Sequence, residues 1–242
     1  MAERGQIENF EIYYTDEAGW IDSTHAKGGD ALKLKFQIEN ENLSHDFFKQ
    51  YPQFMSTPLF KTYFIIDYTQ SMYKYGYRAG KNAQWLVKRG LGFEEKKSIA
   101  LAIMLNMTMH FETLQGNWFY HGILRSDSSF SGEDVISNLL GFYKIFEPKN
   151  YDIYLGVASR EKAFRIWDHY GAIGNFKNRE LRPWIFPDPL IYPNSKPYKK
   201  ELPFFLRTIQ PFDLNNNGEK VLPFSPTKYI HSYNLNRFIP FN

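Results

Sequence analysis

Hydrophobic and polar positions change their period several times along the chain, and each change predicts an element. Leu32, Leu34, Phe36 and Ile38 alternate with Lys33, Lys35 and Gln37. A period of two predicts a half-buried strand there. Tyr63-Phe64-Ile65-Ile66 predicts a shorter strand, so the N-terminal part reads as mainly strand and loop. The middle reads as helical. Arg78 to Lys88 predicts a helix stopped by Gly90. Glu94 to Glu112 predicts a longer one, because Ile99-Ala100-Leu101-Ala102-Ile103-Met104-Leu105 is apolar on every face. A helix of that kind is surrounded by protein rather than laid on a surface. Charges at its start argue against a membrane span, and no apolar run reaches the ~18 residues a span needs.

Ser131 reads as an N-cap, with Glu133 and Asp134 in a first turn where the helix dipole favours acids. That helix is expected to run to about Phe146 and to stop before Pro148. Ser159 opens another, through about His169, ended by Gly171. The pattern then dissolves. Ten of the thirteen prolines lie between Pro183 and Pro240, interleaved with Phe, Tyr and Trp. Prolines this dense prevent long helices and central strands. Aromatics this frequent exclude a simple disordered tail. The expected organisation is a single α+β domain over residues 1–182, with N-terminal strands around a buried helix at about 94–112. An irregular proline-rich arm over 183–242 packs on the domain or on a partner.

Composition narrows the classes. Net charge is +3, and the strongest basic cluster, Tyr198-Lys199-Lys200, is short. No nucleic-acid partner is expected from that balance. The chain has no cysteine, which excludes disulfides, thiolate metal sites and cysteine nucleophiles. Met1-Ala2-Glu3-Arg4-Gly5-Gln6 lacks the basic-then-apolar plan of a signal peptide. The expectation is a cytoplasmic protein, one that leaves by a leaderless route, or one whose leader has been removed. Aromatic residues make up 18% of the chain, enough for a wide core or a partner surface.

Three stretches could carry chemistry. In Gly19-Trp20-Ile21-Asp22-Ser23-Thr24-His25, Asp22 could orient His25 as an acid orients an imidazole base. The plainer role for Asp22 is capping a turn. In His110-Phe111-Glu112, Glu112 continues the row Leu101, Leu105, Thr108 at helical spacing. A carboxyl so placed would be desolvated and its pKa raised, the state of a general acid near neutral pH. The competing reading is a buried Glu held by Arg78, Arg125 or backbone donors. In the third stretch, Asp134, Ser137, Asn138 and Gly141 form one polar, small-residue stripe on a helix whose other side carries Val135, Leu139, Phe142 and Phe146. Small polar residues in place of Lys and Glu point to close packing on another element or on a ligand.

Metal and cofactor signals are weak. His25, His110, His121 and Glu112 offer ligand types, but the paired-histidine helix motif is absent. Asp213-Leu214-Asn215-Asn216-Asn217-Gly218 matches the start of a calcium loop, yet its twelfth position is Phe224 rather than an acid. An Asn-Gly turn explains it more economically. No phosphate loop or dinucleotide fingerprint is present. Neither a metal nor a cofactor is expected.

The three stretches, in this order, resemble an uncharacterised bacterial domain family associated with envelope and secreted proteins. The matching residues are Gly19, Ile21, Asp22 and His25; then Phe111 and Glu112; then Ser128 or Ser129, Phe130, Ser131, Glu133, Asp134, Ser137, Asn138 and Gly141. The resemblance covers roughly residues 19–145 and is most specific in the third stretch. It implies that these motifs meet in one site, and it carries no established activity.

Two readings remain open from sequence. The first is a hydrolase-like domain acting on cell-envelope glycan or peptide. Glu112 would be its general acid or base, His25 with Asp22 a second proton-transfer group, and Ser137, Asn138, Asp134 and His110 the substrate-binding set. The second is a non-enzymatic structural or cargo subunit of a bacterial or phage assembly. There the arm binds a protein partner or drives oligomer formation, and the polar motifs are buried packing networks.

Overall fold

The computed structural model describes residues 2–43, 58–74, 77–115, 133–178, 180–215 and 218–224, and the side chains of 70–82 and 109–115 also fall outside the description. The fold is α+β, and the helices and antiparallel strands divide between two compact units. The units interleave along the chain: one comprises residues 1–29 and 112–208, the other 30–111 and 209–242.

The first unit starts with a hairpin, β1 (Ile12–Thr15) against β2 (Gly19–Asp22), in the register Ile12↔Asp22 to Thr15↔Gly19. Thr15 closes its turn: the Thr15 hydroxyl donates to Gly19 O and accepts from Ala18 N. The chain passes from β2 into a single turn of helix, α1 (Ser23–Ala26). Three more helices belong to this unit: α5 (Asp134–Phe146), α6 (Asp152–Leu155) and α7 (Arg160–Tyr170). Helix α7 begins and ends as its sequence predicts. Ser159 Oγ accepts from Lys162 N, and Gly171 follows with φ +83°. Helix α5 does end at Phe146, but Glu133 occupies its cap position without a side-chain cap bond. The cap expected at Ser131 lies outside the described residues.

The core of this unit joins Ile7, Ile12, Tyr14 and Trp20 to Ala163, Ile166, Trp167, Ile173 and Phe186. Trp20 meets Tyr14 and Trp167 edge-on, with centroids 5.4 and 5.6 Å apart, the geometry that ring quadrupoles favour. The first part of the proline-rich arm completes this core. Trp184–Ile185 (β5) pairs with Tyr198–Lys199 (β6), and Phe186, Phe205 and Leu206 are buried. Lys200 Nζ reaches Glu17 Oε2 at 2.6 Å. Residues 183–208 therefore wrap the unit to which they belong.

The arm's turn at Asp188 is held ionically. Arg165 Nη2 donates to Asp188 Oδ2 at 2.8 Å, and Leu190 N donates to Oδ1 at 3.0 Å. The Arg165 hydrogen bond, aided by the Leu190 N–H, holds the Asp188 carboxyl below its usual range. Arg4 does the same for Asp168. A carboxyl lowered in the folded chain contributes stability that is complete above its unfolded pKa of about 3.9 and is lost as pH falls through the folded value. Unfolding midpoints measured in denaturant should therefore decline below about pH 4, and Asp188→Asn should flatten part of that decline. Identical acid profiles for the two proteins would contradict this.

The second unit holds most of α2 (Gly29–Glu39), α3 (Pro58–Thr62) and α4 (Phe93–Gln115) up to Phe111, with the strands β3 (Tyr63–Lys74), β4 (Tyr77–Lys88) and β7 (Val221–Phe224). The sheet order is β3-β4-β7, antiparallel throughout. Two predicted elements are corrected here. The alternating segment 32–38 is helical: Ala31, Leu34 and Ile38 are buried at helical spacing, while Leu32 and Phe36 are more than half exposed. Lys33 pairs with Asp30 one turn back, and Lys35 with Glu39 one turn on. Both periods fit these residues, but a helix satisfies its own backbone donors and needs no strand beside it. Conversely, the helix expected over 78–88 is β4, paired along its length with β3 from Tyr63↔Lys88 to Lys74↔Tyr77. Pairing with a strong neighbour overrides the weak local preference.

The centre of helix α4 is buried as predicted, except that Leu105 is only part-buried. Ile99, Ala100, Leu101, Ala102, Ile103, Met104, Met107 and Thr108 are all inaccessible to solvent or nearly so. Both faces of the sheet are covered: Tyr63, Ile65 and Leu86 pack with Leu59, Phe60, Leu222 and Phe224, while Phe64, Ile66 and Tyr68 are also buried. The arm's second part supplies β7 and a clasp on α4, in which Ser98 Oγ donates to Gln210 O and Phe212 N donates to Ser98 O. At the calcium-like segment, Asp213 Oδ1 accepts from Asn215 N and Gly218 has φ +55°, an Asx turn followed by a left-handed glycine. Among the described residues no helix is long and apolar enough to cross a membrane.

Candidate functional site

The site lies in the first unit, where α1 meets the N-terminal half of α5. Asp22 caps α1: its Oδ1 accepts from Thr24 N at 2.6 Å and from His25 N at 3.2 Å. Those bonds fix the turn so that His25 projects toward α5. The α1 segment and α5 approach closely because Gly28, just past α1, meets Gly141 of α5. A Cβ on Gly141 would stand 2.5 Å from His25 O and 2.9 Å from Gly28 Cα, and one on Gly28 would stand 2.4 Å from Gly141 O. Contact at that distance admits no side chain. The small-residue stripe predicted on α5 is therefore the surface on which α1 rests.

Three residues of the stripe meet the α1 segment, each by a different contact. Ser137 is fully buried; its hydroxyl accepts from Asp22 N at 2.9 Å and donates to Glu133 O at 2.6 Å. Asn138 Oδ1 accepts from His25 Nδ1 at 3.2 Å. In the tautomer whose Nδ1–H donates to that amide oxygen, Nε2 keeps a lone pair. Asp134 Oδ1 stands 3.9 Å from that Nε2. The imidazole remains 44% exposed.

A cleft of about 500 Å³ opens beside α1, lined by Phe10, Tyr13, Ser23, Lys27, Lys144 and Asp152 among others. Tyr13 is among its lining residues, whereas Asp22, His25, Asp134, Ser137 and Asn138 are not. Burial, with the negative charges of Asp152 and Asp22, pushes the Tyr13 hydroxyl up to about 12. It stays a neutral donor at any physiological pH. Phe10 is held in a left-handed conformation at φ +53° and is 46% exposed, with the Arg160 guanidinium 4.3 Å from its ring centre.

The structure thus brings together Asp22, His25, Asp134, Ser137 and Asn138, and it changes the roles expected of them. Asn138, not Asp22, orients the imidazole, because the hydrogen bonds of Asp22 go to the backbone of α1. Ser137 is a positioning residue rather than a substrate contact, since it is sealed between β2 and α5. Glu112 and His110 belong to α4, and their side chains lie outside the described residues. The sequence reading missed Tyr13, Phe10, Lys27 and Lys144. Only the folding of the hairpin and of α5 around α1 makes them neighbours, and no motif joins them along the chain.

Comparison with known protein families, characterised proteins and solved structures finds no match.

Proposed function

We propose that the first unit is a hydrolase-like domain acting on cell-envelope glycan or peptide, with its reacting centre at His25. The observation that carries this reading is the imidazole itself. Its Nδ1 lies against Asn138 Oδ1, and its Nε2 stands 3.9 Å from the Asp134 carboxylate on a ring that is 44% exposed. A ring held in one tautomer and one orientation can activate a water that approaches Nε2. The cleft beside α1 supports the choice of substrate. The aromatic faces of Phe10 and Tyr13 suit sugar rings, and the ammonium groups of Lys27 and Lys144 suit the acidic groups that envelope polymers carry. Glu112 enters this proposal from sequence, as the general acid or base at the end of the inward row of α4.

The test is hydrolysis of purified envelope polymer, with released reducing ends and free amino groups measured separately. His25→Ala and Glu112→Gln should each lower the rate at least about 100-fold with the fold intact by circular dichroism, since positioned acid–base groups contribute about 10²–10⁴. Asn138→Ala should lower kcat more than it raises KM, because it frees the ring without emptying the cleft. Full activity in His25→Ala would sink the proposal.

One observation favours the structural or cargo reading: Leu190, Ile191, Tyr192 and Phe204 of the arm are 56–73% exposed. Exposed apolar groups on one segment suit a protein partner. Deleting everything after Leu181 cannot test this, because Phe186, Phe205, Leu206 and β7 would be lost from the cores. Leu190→Glu with Ile191→Glu avoids that problem. On this reading the double substitution abolishes self-association or assembly, with stability changed by no more than about 0.5 kcal/mol. A wild-type chain that is strictly monomeric and assembles with nothing would remove it.

A further inference from the structure

We infer that Asp22, His25 and Asp134 form a binding site for a divalent transition cation of the zinc or manganese kind. One nitrogen of His25 and one carboxylate oxygen from each of Asp22 and Asp134 lie within 4.8 Å of one another. Two ligands at about 2.0–2.4 Å from one ion can be at most about 4–5 Å apart, so small side-chain rotations bring all three onto a common centre. The donor set is one imidazole and two carboxylates, which suits borderline cations better than it suits calcium or magnesium.

The surroundings are those a ligand set requires. A metal-binding histidine needs its second nitrogen protonated and held by an acceptor, and Asn138 Oδ1 supplies that acceptor to Nδ1. Nε2 then carries the lone pair and faces Asp134. Asp22 is fixed by two backbone N–H groups, and its own N–H is held by Ser137. Each ligand thus comes from a different point of a rigid contact: the end of β2, the turn of α1 and the first turn of α5. The three protein ligands leave coordination positions for water, which an ion of this kind acidifies. Binding itself is independent of the proposed hydrolysis. Its catalytic consequence rests on that reading, with His25 then serving as a ligand and the bound cation activating the water.

The test is equilibrium dialysis of the chelator-stripped full chain against Zn²⁺ and, separately, Mn²⁺, with bound metal measured by mass spectrometry. Mn²⁺ binding is followed in parallel by electron paramagnetic resonance. Wild type should take up one equivalent of at least one of these ions. His25→Gln and Asp134→Asn should each weaken that uptake at least tenfold, and Asn138→Ala about 10- to 100-fold, as loss of an outer partner does. Asn138→Asp, which keeps an acceptor opposite Nδ1, should restore most of it. Absence of uptake by wild type, or uptake that persists in a His25→Gln, Asp134→Asn double variant, would overturn the inference. Polymer hydrolysis that survives metal stripping would overturn the catalytic consequence while leaving the hydrolase reading in place. Metal uptake without hydrolysis would leave the binding site in place and remove the hydrolase reading together with the catalytic consequence.

Discussion

Gly141→Ala should cost the first unit about 2–4 kcal/mol, more than an ordinary added methyl group at about 1–3. The new Cβ would meet His25 O at 2.5 Å and Gly28 Cα at 2.9 Å. Both are backbone atoms, so no rotamer change relieves the clash and α1 must lift from α5. The bonds from Ser137 to Asp22 and from Asn138 to His25 cross the same contact and would open with it. Gly28→Ala should be worse, because it adds a left-handed φ of +72° to a 2.4 Å approach to Gly141 O. Gly29→Ala is the control: nothing lies within 4 Å of its would-be Cβ and its φ is unremarkable. Denaturant unfolding of the three variants checks the ordering. Equal stability in Gly141→Ala and Gly29→Ala would mean that the helix contact is looser than described.

Tyr14→Phe should also cost about 2–4 kcal/mol, from the orphaning of two buried backbone groups at about 1–3 each. The Tyr14 hydroxyl donates to Phe186 O and accepts from Phe186 N, both at 2.9 Å, inside the core. It ties the proline-rich arm to β1 as a strand partner would. Burial also pushes this hydroxyl above the ordinary phenol range, so the tie does not titrate at physiological pH. Tyr170→Phe removes a partly buried hydroxyl near Pro187 O and Ser195 O and should cost clearly less. Thermal unfolding watched by tryptophan fluorescence would report both. A loss below about 0.5 kcal/mol for Tyr14→Phe, the scale of an ordinary surface change, would show that the arm is held by apolar packing alone.

Elements whose character is written in contiguous residues were legible in the sequence. Helix α4 was visible because its central residues are apolar on every face. Helix α7 carried its own cap and stop in Ser159 and Gly171, and Pro148 lies just past the end of α5 at Phe146. The polar stripe of α5 was legible as a contact surface, since small residues at helical spacing leave room for a neighbour. Segments 32–38 and 78–88 were misread for opposite reasons. The first has a pattern that fits both periods, and burial of Ala31, Leu34 and Ile38 decides for helix. The second is a strand only because β3 lies beside it.

By itself, then, the sequence determined the buried helix, the capped helix α7, the proline-rich arm and the polar residues from which the site is made. The roles of those residues were decided by tertiary structure. Asp22 and His25 are three positions apart, yet Asp22 spends its oxygen on the α1 backbone while Asn138, more than a hundred residues further on, takes the imidazole. Hydrogen-bond partners across such a separation depend on how closely two helices can approach. That distance was set by Gly28 and Gly141, residues with no side chain to announce it.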